Sequence, residues 1–262
     1  MKITIIGGGN MGGAIARGLA QSTFVIPDDI TVSNRGKEKL DLLKTFNPSI
    51  HTTTDNKEAI KNADIIILAV KPWVLDSVAI DIRKALDLPR QIIVSVVAGA
   101  TIERLAGLFA SADALPAIVR AMPNTAIAVR QSMTLLTPYN AVPEQVDCIR
   151  EMFDSVGKSL IVDESLMTAG TALCSCGTAF AMRYIRAAIE GGIEMGFYPK
   201  DAALLVEQTV KGAAELLLAS GNHPEIEIDK VTTPGGITIK GLNEMEAAGF
   251  SAAVIRGLKA SK

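Results

Sequence analysis

The chain is short of the residues that build the commonest reactive sites. Its 262 residues include only two histidines, His51 and His223, and three cysteines, Cys148, Cys174 and Cys176. So few ligands leave no four-residue zinc spacing, and no metal site is expected. The odd cysteine count suits a reducing compartment better than a disulfide scaffold, and all three thiols read as small buried hydrophobes. A surplus of one charge is lacking too. The net charge is -2 with both signs mixed along the chain, so nothing points to nucleic acid. Met1 and Lys2 open an apolar run, but Gly7, Gly8, Gly9 and Asn10 interrupt it and Arg17 stands where a signal cleavage region belongs. One long stretch, residues 165–182, carries no charge at all. Its Ser, Thr, Gly and Cys make it too polar for a membrane span, and it reads as helix buried against protein. A cytoplasmic chain with no membrane partner is expected.

Familiar catalytic constellations are missing as well. Hydride transfer to a neutral ketone calls for a proton donor at the developing oxyanion. None of Tyr139, Tyr184 and Tyr198 is followed by a lysine four residues on, which disfavours a short-chain dehydrogenase. The helix expected over residues 178–190 holds no Lys or Asn, unlike the catalytic helix of β-hydroxyacid dehydrogenases. Gly157-Lys158-Ser159 is no phosphate-binding P-loop, because Met152 occupies the first glycine position. Both histidines read as surface residues. A reductase without an evident acid suits a substrate that brings its own proton. A protonated imine is one: its carbon is already electrophilic, and the site need only align the C=N with a nicotinamide and anchor the rest.

What is present is a strand–helix alternation over the first 160 residues. Residues 3–6, 30–33, 50–52, 65–70 and 92–97 read as strands, with further strands at 117–122, 133–137 and 159–162. Helical patterns cover 11–21, 37–46, 57–62 and 73–86, and Asp55 with Glu58 has the form of a capping box. The runs 65–70 and 92–97 are almost wholly apolar, as in central strands covered on both faces. Such alternation makes a mostly parallel sheet with right-handed crossovers. Beyond residue 163 strand signals stop, and helices are expected at 179–195, 200–219 and 237–248. Two domains follow, 1–162 and 163–262.

The chemistry begins at Gly7-Gly8-Gly9-Asn10-Met11-Gly12, whose glycines hold the first, third and sixth positions of a dinucleotide fingerprint. Ile6 closes the strand before it and a helix follows. That context marks an N-terminal Rossmann domain, in which the backbone turns tightly and meets a pyrophosphate at a helix N-terminus. The alternative is a tight strand–helix turn with no ligand. At the end of the second strand, where NAD enzymes place a carboxylate for the ribose hydroxyls, this chain has Ser33-Asn34-Arg35. No carboxylate repels a 2′-phosphate there, and Arg35 can form a charge-assisted fork with it. NADPH is therefore favoured over NADH, with a solvated loop cation as the competing reading of Arg35. Ala69-Val70-Lys71-Pro72 ends the fourth strand, and Ser95, Val96, Val97 and Ala98 end the fifth. Both segments lie at the carboxyl edge where ligands bind, with a plain strand terminator as the competing reading of Lys71. Pro234-Gly235-Gly236-Ile237-Thr238 precedes a helical run, and its successive N–H groups form an anion nest suited to a carboxylate.

Four segments together resemble the pyrroline-5-carboxylate reductase family. They are Ile6-Gly7-Gly8-Gly9-Asn10-Met11, Ala69-Val70-Lys71-Pro72, Met122-Pro123-Asn124-Thr125 and Val231-Thr232-Thr233-Pro234-Gly235-Gly236-Ile237-Thr238. The resemblance spans essentially the whole chain and implies an NADPH-dependent reduction of 1-pyrroline-5-carboxylate to proline. It implies that Met122, Pro123 and Asn124 lie beside the nicotinamide and that Asn56 lies near the adenosine ribose phosphate, where a helix-start role competes. It also implies that Thr233 to Thr238 hold the substrate carboxylate, with the Thr238 hydroxyl on the ring nitrogen. The all-helical second domain becomes a dimerisation domain, and the chain a homodimer or a larger ring of dimers. The sequence departs from the family at Cys174-Ser175-Cys176-Gly177-Thr178, where Ser-Gly-Ser-Gly-Pro is usual, and at Ile237, where Thr is usual. Two other functions stay open on the residues alone. One is reduction of another cyclic imine or a 2-oxo acid; the other is a sensor that binds NADPH without turnover.

Overall fold

Isoleucine and valine build the sheet. The strands β1 (Ile3–Ile6), β2 (Ile30–Ser33), β3 (His51–Thr53), β4 (Ile65–Leu68), β5 (Ile92–Ser95), β6 (Ala117–Met122), β7 (Ser132–Tyr139) and β8 (Gly157–Ile161) lie in the order β3-β2-β1-β4-β5-β6-β7-β8. All neighbours are parallel except β6 and β7. Alternate residues of a strand face opposite sides. Ile65 and Ile67 therefore join one buried layer with Ile15, Leu19 and Leu43, while Ile66 and Leu68 join the other with Val78, Ile82 and Phe109. Each such fully buried side chain stabilises the fold by about 1.5–3 kcal/mol.

The computed structural model describes residues 1–111 and 114–262. Its crossovers are α1 (Asn10–Ala20), α2 (Lys37–Phe46), α3 (Asn56–Ile60), α4 (Leu75–Ile82) and α5 (Ile102–Phe109), and α6 (Pro143–Asp154) connects β7 to β8. The expected helix over 73–86 is broken into α4 flanked by 3-10 turns at Pro72–Val74 and Arg83–Ala85. β4 and β5 each end two residues earlier than expected; beyond β4 the chain turns away into Pro72, which cannot continue a ladder. The capping box forms by half. Asp55 accepts from Lys57 N and Glu58 N, but the Glu58 carboxylate accepts from the Thr53 hydroxyl instead of returning to Asp55.

The chain divides into two compact units, Met1–Ser175 and Cys176–Lys262, thirteen residues later than the expected boundary. The reason is packing. Met167, in the short helix α7 (Met167–Gly170), is buried against Met122 and Leu135, and a β-carbon on Gly170 would strike the Leu135 side chain. Glu164 accepts from Arg120 Nη1 and from Ile102 N, both at 2.8 Å. Residues 164–175 thus belong to the sheet unit.

Arg120 is 7% exposed and its Nε has no partner among the described residues. Removing Glu164 leaves that cation buried alone, whereas removing Arg120 leaves a carboxylate that water and Ile102 N still reach. Glu164→Leu is expected to cost about 3 kcal/mol and Arg120→Met about half of that. Calorimetry should show the larger fall in Tm for Glu164→Leu; the reverse order would refute this account.

The second unit holds α8 (Gly177–Glu194), α9 (Pro199–Ser220), α10 (Pro224–Lys230), α11 (Ile237–Ala247) and α12 (Phe250–Ala260). Gly192 and Ala202 meet where α8 and α9 touch, and among the described residues they are the unit's only buried ones. Phe180, Met182, Leu204, Leu216, Val254 and Ile255 are exposed. The expectation that 165–182 is buried against protein is therefore corrected for the single chain: Met167 and Ala172 alone are buried there. A lone helical run has too few neighbours to cover all its faces. The helical run Glu164–Glu194 is long and apolar enough to cross a membrane by length and composition, at a mean hydropathy of 1.2.

Candidate functional site

The strand order reverses between the parallel neighbours β1 and β4, and the cavity opens at their carboxyl ends. β1 runs into Gly7, whose φ of 107° is a region open to glycine, and Gly7 N donates to Ser33 O at 2.8 Å. A β-carbon there would strike the Ala69 carbonyl, and one on Gly12 would strike the Gly7 carbonyl. At Gly9 a β-carbon would meet nothing within 4 Å, so the loop presents bare backbone to open space. Gly9 caps α1 without any side-chain acceptor, which leaves the first N–H groups of the helix for a ligand. The donor set fits the pyrophosphate of a dinucleotide.

The cavity measures ≈ 780 Å³. It gathers Ile6, Gly7, Gly9, Asn10, Met11, Ser33, Asn34, Arg35, Asn56, Ala69, Val70, Lys71, Pro72, Val96, Ala98, Met122 and Pro123, all expected from the sequence. The other expected cofactor residues stand behind this lining. Gly8 N donates to Asn34 Oδ1, whose amide in turn donates to Gly36 O, so Asn34 also ties the glycine loop to the β2–α2 turn. Gly12 packs on Gly7, Ser95 is buried at the end of β5, and Val97 is buried just beyond it. Asn124 is 7% exposed; it accepts from Ala126 N and donates to Cys174 O, and so braces the loop rather than facing the cavity.

Sequence reasoning missed Lys39, Val74, Ser77, Val78, Asp81, Thr125, Thr171 and Ser175, which also line the cavity. Val74, Ser77, Val78 and Asp81 have the i, i+3, i+4, i+7 spacing of one helix face, a signal that was available. Lys39 follows Arg35 by four residues across the start of α2. Neither makes an ion pair among the described residues, and Gly36 caps α2 with no side-chain acceptor. Two cations and a helix N-terminus thus converge at the β2 end. The β6 end is apolar at Val96, Ala98, Met122 and Pro123, with the hydroxyls of Thr125, Thr171 and Ser175. From β2 to β6 is four strand spacings, about 19 Å, room for an extended dinucleotide. Lys71 Nζ lies 5.9 Å from the Trp73 ring centroid, a cation–π contact at the rim.

Thr171 and Ser175 come from a π-helical segment, Thr171–Cys176, whose widened turn is the kind found at functional sites. Thr171 Oγ1 donates to Met167 O. Burial pushes the Cys174 thiol above its ordinary range, which keeps it protonated and poorly nucleophilic. Cys148, Cys174 and Cys176 are free thiols, each half-buried rather than buried as expected from the sequence.

The expected substrate residues lie in the second unit. Thr233-Pro234-Gly235-Gly236 forms a turn closed by Gly236 N donating to Thr233 O at 2.9 Å. Proline at the second position and Gly235 with a φ of 70° at the third are the signature of a type II turn. α11 starts directly after it at Ile237, again with no side-chain cap, so the N–H groups of Ile237 and Thr238 remain open to an anion.

Comparison with known proteins also separates two regions, the second beginning at residue 164, twelve residues before the second compact unit. Residues 164–262 match a family model for pyrroline-5-carboxylate reductase dimerisation, and residues 2–99 match one described as NADP oxidoreductase coenzyme F420-dependent. A pyrroline-5-carboxylate reductase of Methanosarcina acetivorans is 36% identical, with 100% of this chain and 97% of that protein covered. Pyrroline-5-carboxylate reductase 1 of Dictyostelium discoideum is 41% identical over 99% of this chain, which spans 48% of that longer protein. The crystal structure of Plasmodium falciparum pyrroline carboxylate reductase with NADP bound superposes with a TM-score of 0.88 at 27% identity, covering 100% of this chain and 95% of that one.

Proposed function

The chain belongs to the pyrroline-5-carboxylate reductase family, and from that premise we infer that it reduces 1-pyrroline-5-carboxylate to proline with NADPH. It is an NAD(P)H-dependent oxidoreductase. The observation that carries the assignment of its site is one cavity with cations at the β2 end, bare glycine backbone in the middle and an apolar wall at the β6 end. When bound, NADPH supplies the hydride. The Asn10 and Met11 N–H groups would face its pyrophosphate, Arg35 and Lys39 would hold its 2′-phosphate, and Val96, Ala98, Met122 and Pro123 would exclude water from its reactive end. The turn before α11 holds the substrate carboxylate on its N–H groups, and the Thr238 hydroxyl hydrogen-bonds the ring nitrogen. The imine carbon gains the hydride and the protonated nitrogen becomes the neutral amine, so no acidic side chain is needed at that atom.

The partner that this reading requires is a second copy of the chain. A unit of 87 residues whose buried residues, among those described, are Gly192 and Ala202 cannot be stable by its own core, and the dimerisation model covers all of it. The exposed apolar faces are covered by the second copy rather than by lipid, and the substrate site draws on both chains. A cytoplasmic location fits three cysteines without a disulfide.

Purified protein with NADPH and 1-pyrroline-5-carboxylate should consume the cofactor and yield proline; binding of NADPH without proline would leave only a sensor. Arg35→Ala and Lys39→Ala should each raise the NADPH KM roughly tenfold and the pair roughly a hundredfold, in line with charge-assisted contacts. NADH should be nearly untouched in steady-state kinetics. Equal losses with both cofactors would remove the phosphate assignment.

A further inference from the structure

The cavity that lacks a carboxylate at the end of β2 receives one from elsewhere. Asp81, on the cavity-facing stripe of α4, reaches toward the residue that follows the α3 cap. Three contacts link four side chains in a row. Ser33 Oγ donates to Asn56 Oδ1 at 2.5 Å, Asn56 Nδ2 donates to Asp81 Oδ2 at 3.1 Å, and Lys57 Nζ pairs with Asp81 Oδ1 at 3.2 Å. Ser33, Asn56 and Asp81 line the cavity; Lys57 does not.

Two consequences follow from the chemistry of these groups. A primary amide can be turned over, exchanging its oxygen and nitrogen at little cost unless both ends are held. Here a hydroxyl donor fixes the oxygen and a carboxylate fixes the nitrogen, so Asn56 presents one orientation to the cavity. It keeps a second lone pair and a second N–H proton for a ligand. The other consequence is electrostatic. An ionised carboxylate in the wall of a site for a 2′-phosphate is repulsive. Lys57 lies against the far oxygen of that carboxylate and offsets its charge from outside the cavity.

We propose that Asp81 is a positioning residue that locks the Asn56 amide toward the adenosine ribose, and that Lys57 neutralises Asp81 so that the site still favours the 2′-phosphorylated cofactor. The proposal rests on the reading of this cavity as the NADPH site. It adds two residues, on α3 and α4, that determine cofactor choice without standing at the end of β2. Arg35 and Lys39 attract the phosphate, and the Lys57–Asp81 pair removes a penalty against it.

The test is steady-state kinetics of the full-length protein with NADPH and NADH, together with NADP+ binding by titration calorimetry. Lys57→Gln unmasks the Asp81 charge and should lower the ratio of NADPH to NADH specificity about fivefold, an effect that added salt diminishes. In the double variant Lys57→Gln with Asp81→Asn both charges are gone while the acceptor for Asn56 Nδ2 remains, so the ratio should return to within about twofold of the wild type. Asp81→Leu removes the acceptor and should raise KM for both cofactors together by about three- to tenfold, one lost hydrogen bond, with kcat falling much less. Asp81→Asn alone should not show that rise.

A mere structural role for the pair would predict a common loss of Tm with no change in the ratio, and no return in the double variant. That outcome overturns the proposal. An Asp81→Leu protein that behaves like Asp81→Asn overturns the positioning half. If the wild type binds no NADP+, the cavity reading itself fails, which the calorimetry separates from either result.

Discussion

Gly12→Val is expected to raise the Kd for NADPH roughly a hundredfold. A β-carbon at residue 12 meets the Gly7 carbonyl oxygen, which is backbone and cannot swing aside, and a second contact falls 3.1 Å away on the Ala69 side chain. α1 must then move off the loop, and the N–H groups at its start lose their aim at the pyrophosphate. Overpacking of this severity costs about 3 kcal/mol, and at about 1.4 kcal/mol per tenfold that is the expected change in Kd. The control lies one residue away. A β-carbon on Gly13 comes no nearer than 3.7 Å to the Gly8 carbonyl, an ordinary contact. Gly13→Ala should therefore bind NADPH within about threefold of the wild type, since alanine also favours the helix. Fluorescence titration of the single tryptophan, Trp73, reads both variants, because its neighbours Pro72 and Val74 line the cavity. Equal affinity in the two would show that the loop does not carry the cofactor.

Thr238→Ala is expected to separate turnover of the imine from binding of the cofactor. Its hydroxyl is assigned to the reacting nitrogen and its N–H to the carboxylate nest at the start of α11, and alanine removes only the first. We expect kcat/KM for the imine to fall about a hundredfold, the scale of one donor or acceptor lost at a reacting centre. Binding of NADP+ should change less than about twofold, because the Arg35 and Lys39 end of the cavity is intact. Thr238→Ser restores the hydroxyl and should recover most of the loss. Matched losses of turnover and cofactor affinity would show instead that the residue supports the fold near the turn.

Much of the sheet was legible because its signal is local. An apolar run such as Ile65-Ile66-Ile67-Leu68 allows few structures other than a strand buried on both faces, and a glycine triplet after such a strand has one well-known use. Helices α5, α6, α10 and α12 were not foreseen: α5 and α10 have only eight and seven residues, and a glycine interrupts α5 and α12. Asn124, expected beside the nicotinamide, shows what a local signal leaves undecided. Its motif was recognised, but a motif does not say which member faces the ligand, and here the amide is occupied by Ala126 and Cys174.

Sequence alone determined the alternating architecture, the glycine loop, the absence of a carboxylate beside Arg35 and the Pro-Gly-Gly turn before α11. Each follows from backbone preferences over a few adjacent residues. Only the tertiary structure brought Asp81 to Asn56 across 25 positions, set Thr171 and Ser175 on the cavity through a π-helical turn, and drew residues 164–175 into the sheet unit. Those placements depend on which helix face packs on which strand and on where Glu164 finds its cation, and such contacts leave no periodicity in the chain to be read beforehand.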